Sequence, residues 1–74
     1  MQDLDNAIQH LRAAVEEAEW RQAIQDIINL ILAELGFPVP PNQPNPATCT
    51  HQQALDYGDA VEEAAEGYEW PGDN

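Results

Sequence analysis

Six carboxylates recur at helical spacing late in the chain: Asp56, Asp59, Glu62, Glu63, Glu66 and Glu69. At 100° per residue they share one helix face within an arc of about 140°. Ala54, Tyr57, Val61, Ala64, Ala65 and Tyr68 share the other. Paired carboxylates perform general acid–base chemistry when a dry pocket raises the pKa of one member. The periodicity instead places these acids on a solvated face. Asp56-Tyr57-Gly58-Asp59 lacks the alternating oxygen ligands of a calcium loop and falls within helical periodicity. What remains is recognition of positive charge. Like charges at i,i+3 and i,i+4, such as Asp59–Glu62 and Glu62–Glu66, each oppose the helix by roughly 0.2–0.5 kcal/mol. An ordinary solvated face intersperses lysine or arginine and gains that energy, yet no such residue follows Arg21. The plain alternative is a face that only keeps the protein in solution.

Other groups able to do chemistry are few. Cys49, His51 and His10 are three zinc-ligand types without a zinc-site spacing. His10 is expected on a helix surface and Cys49 as a half-buried loop thiol. A single cysteine makes no internal disulfide. The sequence contains neither serine nor lysine, which removes serine nucleophiles, P-loop lysines and Schiff-base lysines. The expectation is therefore no catalytic residue, no cofactor and no metal. Fourteen acids against two arginines give a net charge of −12. A folded monomer of this size exposes roughly 4,500 Å², about one net negative charge per 400 Å². Such a field repels nucleic acid and anionic lipid and attracts basic protein surfaces.

The elements that carry these groups separate by composition. Residues 3–35 hold neither glycine nor proline and are rich in Ala, Leu, Ile, Gln and Glu, most of them strong helix formers. Residues 36–49 hold five prolines and read as a semi-rigid spacer. Its P-x-x-P spacings, Pro38 to Pro41 and Pro41 to Pro44, lack the flanking basic residue usual in docking motifs. Residues 50–69 return to helical composition, and 70–74 form a turn-rich tail. Asp3 or Asp5 can cap the first helix. Gly36 suits a left-handed helix end, with Phe37 touching Leu32 and Pro38 blocking continuation. Thr50 with Gln53 is a capping-box pattern.

The first region carries two apolar stripes. Leu4, Ala7, Ile8, Leu11, Val15 and Ala18 form one; Trp20, Ile24, Ile27, Ile31 and Leu35 form the other. On an unbroken helix they would lie roughly 170–190° apart. Either a straight rod of about 50 Å is shared between two protomers, or the chain breaks. A break or sharp kink near Glu16-Glu17-Ala18-Glu19 is favoured, because a small monomer offers a rod little to pack on. The fold expected is a small all-α bundle of two to three helices in one domain.

The leading functional expectation is a stoichiometric inhibitor that imitates a nucleic-acid strand. Six carboxylates from residue 56 to 69 cover about 20 Å, one per ~3.3 Å, against ~3.4 Å per phosphate along one DNA strand. The partner would be a protein with a Lys/Arg-rich nucleic-acid-binding surface. Tyr68 and Trp70, beside the acids, are candidate interface anchors, although the apolar face also suits them to the core. In size, acidity and lack of catalytic groups the chain resembles small anti-defence proteins of phages and mobile elements, anti-CRISPR proteins among them. That resemblance is one of profile and rests on no motif. Two alternatives use the same residues differently. One is a helical dimerisation or adaptor subunit, with Trp20, Ile24, Ile27, Ile31 and Leu35 as its seam; the other is an antitoxin-like protein masking a basic surface. No basic-then-apolar leader opens the sequence and no apolar run approaches a membrane span, so the expected location is the cytoplasm.

Overall fold

Ala14, Val15 and Glu16 interrupt what composition alone allows as one helix. In the computed structural model, which describes residues 2–70, α1 spans Gln2–Ala13, α2 Glu17–Ala33 and α3 His51–Glu66. Asp3 and Asp5 lie inside the first turn of α1 rather than ahead of it; there their charge complements the helix dipole. Glu16 is extended, with φ −73° and ψ 142°. Its carbonyl accepts from the backbone N–H of Glu19 and of Trp20, at 3.0 and 2.9 Å, and so starts α2. Glu17 and Glu19 in that first turn add favourable dipole interactions.

The break resolves the conflict between the two stripes. It folds α1 back on α2, so both stripes face one core. Leu4, Ile8, Leu11 and Ala14 come from α1; Trp20, Ala23, Ile24, Ile27, Ile28 and Ile31 come from α2. Val15 and Ala18, expected on the first stripe, are exposed instead. The chain turns at Val15, and Ala18 takes up the phase of α2.

The seam expected for a dimer is consumed inside the monomer. Trp20, Ile24, Ile27 and Ile31 are buried in the core, whereas Leu35 is 89% exposed beyond the end of α2. The reason is α3, which packs against both other helices and supplies Ala54, Tyr57 and Val61 to the same core. At Gly58 an added Cβ would stand 2.8 Å from Leu11 Cδ2. The glycine is what lets α1 approach this closely.

Of the two ends of α3 and the C-terminal end of α2, one follows the sequence and two depart from it. At α3 the capping box closes: Gln53 N–H donates to Thr50 Oγ1 at 3.1 Å, and Thr50 N–H donates to Gln53 Oε1 at 2.8 Å. The helix stops at Glu66, three residues short of expectation, and Gly67 caps it. Similarly, α2 stops at Ala33 before Gly36 is reached. Gly36, φ +84°, instead serves as third residue of a turn in which Phe37 N–H donates to Glu34 O at 3.5 Å, the position where a type II turn needs positive φ. Phe37 is therefore directed inward while Leu32 is 62% exposed.

The proline-rich segment is not a free spacer. Phe37, Pro40 and Cys49 are buried, and Asn45 O accepts from the N–H groups of Thr48 and Cys49 at 3.0 and 2.8 Å. Arg21 straps the segment to α2: Nη1 donates to Pro46 O at 2.8 Å and Cys49 O at 3.1 Å. Its Nη2 holds Glu17 at 2.7 Å, and its Cζ lies 4.4 Å from the centre of the Trp20 ring. His51 stacks on Trp20 at 5.1 Å between centroids. Residues 71–74 of the expected tail lie outside the described residues. No helix is long and apolar enough to cross a membrane, among the described residues.

Candidate functional site

Asp56, Asp59, Glu63 and Glu66 lie exposed along α3, and Glu62 is partly covered. Glu69 falls past the helix end, so five of the six acids share the helix and the sixth leaves its line. The row is also divided by a residue from another element. Arg12 of α1 grips Glu62 with two parallel bonds, Nη1 to Oε2 at 3.0 Å and Nη2 to Oε1 at 2.7 Å. Its Nη2 also donates to Asp59 Oδ1 at 3.0 Å. Hydrogen bonding to Arg12 holds the Glu62 carboxyl below its ordinary value of 4.5. The same bonds to Glu62 and Asp59 raise the Arg12 guanidinium further above its usual range. Asp56 accepts from its helix neighbour Gln52 at 2.8 Å.

The charge of the row therefore concentrates toward its C-terminal end. Among the described residues, no basic side chain pairs with Glu63, Glu66 or Glu69. The last turn of α3 contains no basic residue and its first turn no acid, the reverse of what the helix dipole favours. The C-terminal end of α2 likewise lacks a basic residue in its last turn and carries Glu34 as its cap.

Tyr68 and Trp70 sit where these two helix ends meet. Tyr68 Oη donates to Leu35 O at 2.7 Å, joining the turn after α2 to the segment after α3. Phe37, Tyr68 and Trp70 form an aromatic cluster, with centroids 5.2, 5.5 and 4.8 Å apart. Both residues are half-buried, each with one side in the core and the other toward solvent. Exposed Leu32, Leu35 and Val39 belong to the same stretch of chain.

The candidate metal ligands are dispersed. Cys49 is buried in the loop, His51 lies on Trp20, and His10 faces Glu19 at 3.4 Å. No cluster of three His, Cys, Asp or Glu able to hold an ion is assembled among the described residues.

Two features escaped the sequence. Arg12 sits beside Leu11 at the edge of the α1 stripe; this position implies a flank near a neighbouring helix but not which one. The second is a groove of about 770 Å³ between the proline-rich segment and α3, lined in part by Asn42, Gln43, Asp56 and Tyr57. Its one legible signal is Tyr57, a tyrosine on an apolar face whose hydroxyl must find a partner. No protein-family model, curated protein or solved structure matches the chain.

Proposed function

We propose that the protein is a stoichiometric inhibitor that binds the basic, nucleic-acid-contacting surface of another protein through the acidic end of α3. The observation that carries this reading is the disposition of the two arginines. Arg12 is committed to Glu62 and Asp59, and Arg21 to Glu17 and two loop carbonyls. Neither reaches Glu63, Glu66 or Glu69, and these acids stand at a helix end whose dipole repels them. A sequence selected only for stability would place cations there. The aromatic cluster and exposed Leu35 supply apolar contact beside the charge, the composition of an interface anchor. A surface of this kind would occupy a Lys/Arg-lined channel and exclude the strand that normally enters it. Association would be fast and sensitive to salt.

The test is capture of a partner from host lysate at low salt and its elution by salt, followed by affinity measurements with Glu63→Gln, Glu66→Gln and Glu69→Gln combined. The triple variant should bind about tenfold more weakly and show a shallower salt dependence. An affinity unmoved by both salt and the triple change would reject the proposal.

A further inference from the structure

A residue that lines the groove beside α3 carries a buried polar atom that the described residues leave without a well-placed partner. Tyr57 is 4% exposed and lines the groove. Its hydroxyl is buried and, among the described residues, has no partner in good hydrogen-bonding geometry. An unpaired buried hydroxyl costs roughly 1–3 kcal/mol, so a ligand that pairs with it recovers a loss already present in the unliganded fold. Burial also pushes the hydroxyl pKa up, an effect tempered by the neighbouring Gln43 side chain. The Gln43 amide is the polar group that approaches the hydroxyl; it is exposed and has to give way for a ligand to take its place.

The surroundings define what the ligand must be. The charged residue of the groove is Asp56, and no Lys or Arg contributes to its lining. Of its carboxylate oxygens, Oδ1 accepts from Gln52, and Oδ2 accepts no side-chain bond among the described residues. Asn42 and Gln43 add amide carbonyls, while Pro41 and Pro44 add apolar ring faces. A volume of about 770 Å³ falls within the ~300–1,000 Å³ typical of ligand pockets. An anion is repelled by Asp56 and by the molecule as a whole. A guanidinium fits best. It carries five donors in a planar fork and no acceptor; it can engage a carboxylate, an amide carbonyl and a hydroxyl oxygen together. Its aliphatic stem can lie along the proline rings. An ammonium, a compact point charge, uses fewer of these acceptors.

We infer that the groove between residues 41–45 and α3 is a receptor for an arginine side chain of the basic partner, with Asp56 and the Tyr57 hydroxyl as its recognition groups. This inference rests on the proposed function and adds a specific anchor to its diffuse electrostatics. It also accounts for Asp56, the acid of the row furthest from the Glu63–Glu69 end.

The experiment is an NMR titration of the full chain at low salt with a capped pentapeptide containing one arginine, and with matched lysine and citrulline peptides. The arginine peptide should shift amides within residues 42–60, binding about fivefold more tightly than the lysine peptide and more tightly still than the citrulline one. Asp56→Asn and Tyr57→Phe should each weaken it about fivefold. Tyr57→Phe should leave the melting temperature unchanged or raised, since it removes an unpaired hydroxyl; loss of binding then is not loss of fold. Shifts confined to Glu63–Glu69, or equal binding of the arginine and citrulline peptides, would overturn the groove assignment while leaving the acidic surface standing. Absence of any shift with either basic peptide would remove both.

Discussion

Trp20, Gly58 and Arg12 each show how one side chain connects sequence to architecture. Trp20 is 5% exposed, stacks on His51 and lies against Arg21, so it joins α2, α3 and the strap on the proline-rich segment. Trp20→Ala should destabilise by about 3–5 kcal/mol, a large part of the ~5–15 kcal/mol available to a domain. Circular dichroism should show the melting temperature lowered by roughly 10–40 °C. Gly58→Ala sets two effects against each other. The helix gains roughly 1 kcal/mol of propensity, but the new methyl meets Leu11 Cδ2 at 2.8 Å, and Leu11 is itself only 1% exposed. Overpacking of a filled core costs typically 1–3 kcal/mol, so a net loss of about 1 kcal/mol and a lower melting temperature are expected. Arg12→Gln acts through Glu62. The folded-state pKa of Glu62 is depressed, so the ion pair stabilises fully above the ordinary value of 4.5 and this contribution disappears as pH falls through the folded value. The melting temperature of Arg12→Gln should lie below that of wild type at pH 7, and the two should converge in acid. A gap that widened on acidification would contradict that sign.

At the scale of elements, the helices owe their existence to local signals and their lengths to tertiary contacts. The capping box of α3 is purely local, and its removal by Thr50→Ala should cost about 1 kcal/mol. A reduced melting temperature with helix content unchanged at low temperature would be the readout. Helix C-termini behaved differently. Gly36 and Gly67 are both permissive residues, but α2 ends three residues before its glycine and α3 directly at its own. The turn that brings Phe37 onto Tyr68 and Trp70 draws Gly36 into a β-turn instead of a helix cap. The proline-rich segment reads as a spacer because prolines set local backbone geometry. Its attachment through Arg21 joins residues 25 and 28 positions apart, a separation that no local pattern encodes.

For the whole molecule, electrostatics and packing pull in opposite directions. A core drawn from three helices holds together a surface of 4719 Å² with a net charge of −12. Self-repulsion of that charge destabilises the compact state, and salt screens it with a Debye length of about 10 Å at 0.1 M. The arginine pairs are screened too, but they involve far fewer acids than the repulsion does. Raising sodium chloride from about 10 to about 150 mM should therefore raise the melting temperature. The same change should weaken binding to a basic partner, so stability and affinity should respond to salt with opposite signs. Calorimetry and binding isotherms measured on one salt series check both.

Composition and periodicity were sufficient for helices without strands and for an acidic face on the last helix, and they favoured, without deciding, a break near residues 16–19 over one long helix. All follow from interactions within a few residues, where helix propensity, capping and the 3.6-residue repeat act. The stripes could not say whether their apolar faces would be covered by a second copy or by α3, since both burials satisfy the same pattern. Tertiary packing chose α3 and so enclosed Trp20, Ile24, Ile27 and Ile31. Nor could the spacing of the acids reveal that Arg12, 47 and 50 positions away, neutralises the middle of their row. Charge pairing acts through space, and only the approach of α1 to α3 at Gly58 brought that cation within reach. The even row read from the sequence is, in the folded molecule, a charged end beside an aromatic cluster.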